Sequence, residues 1–376
     1  MFVAMSGELK YRWSTANNYL AGITLSPWLR LLRENRVSPA YWHRALFVSV
    51  AAAMNSLYAR REARHDEAVR ATELAGPPLF ILGHWRSGTT HLHNMLAKDT
   101  QNFAFANTYQ VTNPSTFLSS EEKNSRRFAK LVPDKRPMDN VAMGFAQPQE
   151  EEFAPCLMTL KSPYLGISFP RRMVKFERYL SFDGVPVSEI DEWKRALLWF
   201  CKKLTLKYRR PLVLKSPPHT ARIRLLLELF PDARFVHIHR HPHDVFRSTR
   251  HYWDTAVWYT YLQKPDRSQV DDEIIARYRA LHDAFHEQRS LIPEGRFHEL
   301  SFDALEADPV SSVREIYSKL SLPGFADYQP ELERYLTSLG SYKKNQFKPL
   351  GRAVVERLAD AWRPEFDRWN YDPHRK

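Results

Sequence analysis

Cysteine is nearly absent: only Cys156 and Cys201 occur in 376 residues, each among apolar neighbours. Two thiols make no disulfide framework, and a reducing compartment is expected. Long apolar runs are missing too. No stretch reaches the roughly 18 uninterrupted apolar residues of a spanning helix. The nearest, Ala45 to Leu57, is interrupted by Ser49, Asn55 and Ser56 and flanked by His43 and Arg44 and by Arg60, Arg61 and Arg64. That pattern fits an interfacial helix on anionic lipid, or a packing helix with a solvated basic end. Met1 to Glu8 contain no signal-peptide core, so a cytoplasmic protein is expected, peripheral at the membrane if it meets one. There are no internal repeats and no low-complexity tracts. No zinc finger, basic zipper or aromatic–basic repeat is present, and nucleic acid is not an expected partner.

Basic residues are abundant. Lys and Arg number 55 against 43 Asp and Glu, a net charge of +12. Residues 201–250 alone hold twelve Lys and Arg against three Asp and Glu, which is +9 in one seventh of the chain. Such a cluster predicts an anionic ligand or surface.

The densest signal lies at residues 78–92. Leu79 to Leu82 reads as a buried strand. Gly83-His84-Trp85-Arg86-Ser87-Gly88 follows, and then a helical pattern with Leu92, Met95 and Leu96. Strand, Gly-x-x-x-x-Gly, hydroxyl, helix is the layout of a phosphate-binding loop. Glycines let the backbone approach an anion, N–H groups point inward, and the helix N-terminus adds partial positive charge. The triphosphate version carries Lys after its second glycine. Here Thr89 occupies that place, and the cation is Arg86 instead. A metal-bound triphosphate is poorly served by such a loop. Ser87, Thr89, Thr90, the loop N–H groups and one fork-shaped guanidinium suit a phosphosulfate or monophosphate end.

Along the chain, residues 1–74 look largely helical, and Ala75-Gly76-Pro77-Pro78 is a clear break. Strands are expected at Leu79–Leu82, Leu212–Lys215, Arg234–His239 and Phe297–Leu300. Helices are expected at about 188–208, 220–230, 243–253, 271–291 and 310–320. Residues 100–165 show no long period of either kind and read as irregular. Strands spaced by helices predict a parallel sheet with right-handed crossovers, binding ligands at the strands' carboxyl ends. The expected fold is therefore α/β: a P-loop-like central parallel sheet flanked by helices, with a helical N-terminal extension. The expected divisions are 1–76 for that extension, 77–350 for the α/β unit and 351–376 for a helical tail.

Two further strand tips carry cations. Arg240 leaves the third strand, Pro242 suits the first turn of the following helix, and Ser248 lies eight residues beyond Arg240. Both can face a second anion. Lys215 ends the second strand and is followed by Ser216-Pro217-Pro218-His219, a rigid presentation of a cation beside an imidazole. Arg86, Lys215 and Arg240 thus converge on one sheet edge. The alternating His237, His239, His241 and His243 do not make a metal site, because Pro242 breaks the strand and no Cys or carboxylate pair accompanies them.

Arg86-Ser87-Gly88-Thr89-Thr90 resembles the 5′-phosphosulfate loop of the sulfotransferase family, and Arg240 to Ser248 resembles its 3′-phosphate motif. Leu214-Lys215-Ser216-Pro217-Pro218-His219, Pro148-Gln149-Glu150-Glu151-Glu152-Phe153 and Ser341-Tyr342-Lys343-Lys344-Asn345 are similar to segments of its bacterial-type branch. The likeness runs from about Pro78 to about Asn345. It implies 3′-phosphoadenosine 5′-phosphosulfate as donor, no metal, and a P-loop-like α/β fold. The cytosolic small-molecule branch usually has Lys where Arg86 stands, and tends to have His where Pro217 stands.

On that basis Arg86 and Lys215 are expected to stabilise charge during in-line sulfuryl transfer, while Ser87, Gly88, Thr89 and Thr90 hold the anion. Arg240 and Ser248 are expected at the 3′-phosphate, with Lys343 and Lys344 closing over it. The base candidates are His219, Glu150 and Glu152; His219 is preferred, and Glu150 and Glu152 share a face if the segment is extended. Asp139, with Phe103, Phe105, Tyr109, Phe145 and Phe153, is a candidate lining for the acceptor pocket. The acceptor class stays open among a small molecule, a lipid and a carbohydrate, bearing a hydroxyl or, less favoured, an amine. The rival readings are a P-loop kinase or NTPase and a non-catalytic module binding an anion, an anionic membrane or nucleic acid.

Overall fold

The computed structural model describes residues 9–15, 18–128, 139, 144–340, 345 and 347–375. Lys343 and Lys344 lie outside the described residues.

Four strands form one sheet: β1 (Leu79–Leu82), β2 (Val213–Lys215), β3 (Arg234–His239) and β4 (Phe297–Ser301). Their order is β2-β1-β3-β4, and every neighbouring pair is parallel. Ile81 pairs with Lys215 and Leu82 with His237, so the loops leaving β1, β2 and β3 emerge together. The strand sequences are nearly continuous apolar runs because both faces are covered. On one face Phe80, Leu214 and Phe235 join Trp193, Leu197, Phe200 and Leu204. On the other Ile81, Val213 and Val236 meet Leu92, Met95, Val313 and Ile316. The fold is the expected P-loop-like parallel α/β arrangement.

Helix formation follows periodicity. Trp193, Leu197, Phe200 and Leu204 recur at helical spacing and bury one stripe of helix Val187–Tyr208. That helix stops at Arg209, whose left-handed backbone (φ 54°) turns the chain just before Pro211. One expectation fails. Residues 100–165 are not irregular throughout, since Phe117–Phe128 forms a twelve-residue helix and Phe153–Thr159 a shorter one. Nine consecutive polar residues, Ser119 to Arg127, fill the longer helix, so no apolar period marks it in the sequence.

The N-terminal helices share the main core rather than standing apart from it. Leu20, Ile23 and Trp28 pack in the same cluster as Phe80. Helix Leu25–Glu34 lies along helix Trp42–Glu62, and Trp28 Nε1 donates to Ser49 Oγ at 2.8 Å. At its far end Glu62 forms a buried 2.8 Å ion pair with Lys203 and accepts the Leu118 and Ser119 N–H groups.

Candidate active site

The β1 loop is shaped by its glycines. Gly83 (φ 143°) donates its N–H to Thr220 Oγ1 at 2.8 Å, and a Cβ there would stand 2.5 Å from the Ile238 carbonyl oxygen. Gly88 (φ 105°) caps helix Thr89–Leu96, and a Cβ on it would strike the Phe302 ring at 2.3 Å. Only glycine fits either position. Arg86 also has a left-handed backbone, φ 72°, which is uncommon for a residue with a side chain and marks a constrained loop.

Arg86 ties the two motifs together. Its Nε donates to Ser248 Oγ at 2.9 Å, and its Nη1 meets Asp139 Oδ2 at 2.8 Å. Arg240 follows β3, reaches the Arg86 carbonyl oxygen at 3.5 Å and lays its guanidinium 4.6 Å above the Phe302 ring. Burial lowers the pKa of Arg240, and the Arg86 charge adds to that shift. Lys215 at the β2 tip is 1% exposed; its Nζ lies 3.4 Å from Thr90 Oγ1 and 2.6 Å from Glu150 Oε1. The structure therefore brings Arg86, Lys215, Arg240, Ser248, Thr90 and Glu150 to one edge.

Seven of the twelve cations in residues 201–250 do not contribute free charge there. Lys203, Lys207, Lys215, Arg222, Arg224, Arg247 and Arg250 each pair with a carboxylate. The basic cluster in the sequence is thus largely neutralised in space. Arg240 is different and forms no ion pair among the described residues.

The three consecutive glutamates have three fates, because the segment is a turn entering helix Phe153–Thr159 and is not extended. Glu150 is the one that faces the site, held by Lys215 and by the Tyr164 hydroxyl. Glu151 is buried, accepts the Lys215 N–H at 2.9 Å, and places Oε1 2.8 Å from His219 Nε2. Glu152 is wholly enclosed in a two-bond pair with Arg222, at 2.7 and 3.0 Å. The Phe182 and Trp193 rings, in contact with each other, both lie against that guanidinium. The expected shared face of Glu150 and Glu152 is therefore absent, and Glu152 is spent on a buried pair. His219 is also misplaced for the role preferred above. It is fully buried, with the Phe80 and Trp193 rings packed edge-on against it, so an acceptor hydroxyl has no path to its ring.

Beside the loop lies a narrow cleft, partly open to solvent and lined mostly by Trp85, Tyr164, Ile167, Tyr252, Trp253 and Ile274. His84, Pro163, Thr249 and Arg277 complete it. Burial, together with the Arg277 charge, pushes the pKa of His84 down to about 3, so it stays neutral. Burial and the Glu150 charge hold the Tyr164 hydroxyl far above its ordinary range, so it remains a proton donor to Glu150. Tyr164 joins the apolar cleft to the charged edge. Phe153 packs at a tilt against Tyr164, ring centroids 4.9 Å apart, whereas Phe103 and Tyr109 are core residues. Asp139 sits on Arg86.

Several participants had no local signal. Thr220 supports Gly83 from 137 residues away. The C-terminal residues buttress the second motif. Trp369 stacks flat on His239 at 4.6 Å, Tyr371 bonds His239 Nδ1 at 2.9 Å, and Arg375 pairs with Asp244 at 2.5 Å. Among the described residues no group of three or more His, Cys, Asp or Glu side chains is arranged to hold a metal.

Comparison with known proteins bears on the family and the fold. Residues 77–327 match the family described as "Sulfotransferase family". The chain is 36% identical over 362 residues to the omega-hydroxy-beta-dihydromenaquinone-9 sulfotransferase Stf3 of Mycobacterium tuberculosis, covering 94% of this chain and 91% of that one. Its fold is similar to sulfotransferase STF9 from Mycobacterium avium, with a TM-score of 0.70, 19% identity, and 93% and 91% of the two chains covered. It is also similar to sulfotransferase STF1 from Mycobacterium tuberculosis, with a TM-score of 0.66, 17% identity, and 94% of each chain covered.

Proposed function

The chain belongs to the sulfotransferase family and is a sulfotransferase; from that premise we propose that it uses 3′-phosphoadenosine 5′-phosphosulfate to sulfate a terminal hydroxyl on a largely apolar, lipid-like acceptor. The observation that carries the donor assignment is Arg240, half-buried at a strand tip beside Arg86 and in no ion pair among the described residues. Two orphan atoms support the fit. Ser87 Oγ and Arg240 Nε are buried without hydrogen-bond partners among the described residues. A multiply charged ligand satisfies such groups, which otherwise destabilise the fold.

The donor supplies an activated sulfuryl group. Ser87, Thr89, Thr90 and the loop N–H groups hold its 5′ end at the helix N-terminus. Arg240 and Ser248 hold the 3′ end, with Lys343 and Lys344 assigned there by the resemblance. Arg86 stands between the two ends, so charge gathering on the departing oxygen falls on a guanidinium already in position. Lys215 serves the same charge from the β2 side. Glu150 takes the acceptor proton, replacing His219 as the base. It is the carboxylate exposed to the edge, and Tyr164 and Lys215 fix its orientation. The acceptor oxygen then bonds to sulfur as the donor's bridging S–O bond breaks.

The acceptor class rests on the aromatic cleft beside Glu150, which favours an apolar body with one polar end. The relative named for an ω-hydroxylated menaquinone derivative supports a lipid alcohol. The two cysteines are buried free thiols, which supports a cytoplasmic setting. The test is competition. Labelled donor is incubated with the enzyme and an equimolar mixture of a polyprenyl alcohol and a free sugar. Label on the polyprenyl alcohol is the expected result, and label on the sugar alone refutes the acceptor assignment.

A further inference from the structure

Helix Trp42–Glu62 is built inside out. The face turned toward the protein carries Arg44, fully buried, whose guanidinium donates to the carbonyl oxygens of Tyr11, Trp258 and Tyr261 at 2.6, 2.8 and 3.0 Å. The same face holds Glu62 on Lys203, and Asn55 on the Ala21 carbonyl. Only Val48 and Ala52 bury apolar side chains from the middle of this helix. The opposite face is apolar along its length. Trp42, Leu46, Val50, Met54 and Leu57 are 63, 67, 56, 49 and 61% exposed. A surface helix ordinarily shows the reverse distribution, and a contiguous exposed apolar stripe marks an interaction surface.

We infer that this stripe lies flat on an anionic lipid bilayer. Its length decides between lying and spanning. Trp42 to Leu57 covers about 22 Å of helix axis, short of the roughly 30 Å hydrocarbon core. Among the described residues no helix is long and apolar enough to cross a membrane. The charges at its ends select the partner. Arg60, Arg61 and Arg64 follow the stripe at one end. At the other, Trp13 is 73% exposed with its ring 5.0 Å from His43, and Lys10 and Arg12 flank it. None of these five cations pairs with a carboxylate among the described residues. Residues 10–64 hold nine Lys and Arg and two acids. Both acids are occupied, Glu62 by Lys203 and Glu34 by Lys175. An apolar centre between basic ends, with Trp at the margin, matches the headgroup–acyl boundary of a negatively charged leaflet. A second copy fits worse. Stacked parallel or antiparallel on itself, the helix brings basic ends together.

This inference stands apart from the acceptor assignment, and its test needs no turnover. The full chain is sedimented with vesicles of phosphatidylcholine mixed with phosphatidylglycerol, and with phosphatidylcholine alone. The protein is expected to pellet with the mixed vesicles and far less with the neutral ones. The triple variant Leu46→Ser/Val50→Ser/Leu57→Ser is expected to lower the partition coefficient about fivefold per side chain, together about a hundredfold. Its melting temperature should match wild type, because these side chains are already exposed. Arg60→Glu/Arg61→Glu leaves the stripe intact and is expected to abolish the preference for the anionic vesicles. Wild type left in the supernatant, or a triple variant that pellets like wild type, overturns the inference. So does a wild-type dimer in light scattering that the triple variant dissociates.

Discussion

Two regions of this molecule reverse the usual partition of polar and apolar groups, in opposite senses. At the carboxyl edge of the sheet, charged groups are drawn inward: Lys215 is 1% exposed, and Arg240 lies over the Phe302 ring with no ion pair among the described residues. On helix Trp42–Glu62 apolar groups are pushed outward while Arg44 and Glu62 go in. Each arrangement costs folding stability, the first through desolvated charge and the second through unburied surface. The contrast separates the two ligands proposed. The edge calls for a compact, multiply charged solute with fixed geometry. The helix calls for an extended, deformable surface that is apolar beneath and negative above.

The largest effects should come from breaking the edge. Arg86→Ala and Lys215→Ala are each expected to reduce kcat/KM by about a thousandfold, the loss seen when one preorganised charge-stabilising donor is removed. Circular dichroism and melting should show the fold retained, and near-normal turnover in either variant would remove it from the mechanism. Next comes the pair of glutamates. Glu150→Gln should lower kcat by about 10²- to 10⁴-fold, as loss of a base does, with the fold retained. Glu152→Gln leaves Arg222 charged and unpaired in the core, and should cost about 3–5 kcal/mol of stability in denaturant unfolding. If Glu152→Gln is stable but inactive while Glu150→Gln is active, the two roles have been exchanged.

Those glutamates also show where sequence reasoning reached its limit. The strands were readable because each is a short apolar run between breakers, and all four lie within a residue or two of the expected bounds. The strand-tip cations were readable because a parallel sheet sends successive loops to one edge. Burial of polar groups was not readable. Glu152 meets Arg222 seventy residues away, and His219 is enclosed by Phe80 and Trp193, one from a different strand and one from a distant helix. A local pattern carries no sign of such partners. The same reason hid Thr220 beneath Gly83 and Trp369 against His239.

A smaller effect sharpens the contrast through pH. Burial holds His84 and His93 neutral, with pKa values near 3 against about 6.5 when unfolded. Their folded values are depressed, so below pH 6.5 the unfolded chain binds protons that the folded one refuses. Stability therefore falls as pH drops from about 6.5 toward 3. At pH 5 each of these two histidines, 3% and 1% exposed, removes about 2 kcal/mol. His239 and His241, each lowered to about 4 by burial, act in the same direction. Urea unfolding at pH 7 and pH 5 measures the sum, and equal midpoints would show that these rings are accessible to protons in the native state.

The central claim is that the sheet edge grips both ends of a phosphorylated adenosine nucleotide without a divalent ion. Thermal unfolding with 3′,5′-adenosine bisphosphate in the presence of a chelator tests it most directly. A ligand at about a hundred times its Kd adds about 2.7 kcal/mol and should raise the melting temperature by several degrees, an increase that Arg240→Ala should lose. No shift with the bisphosphate, together with stabilisation by ATP and Mg²⁺, would contradict the account.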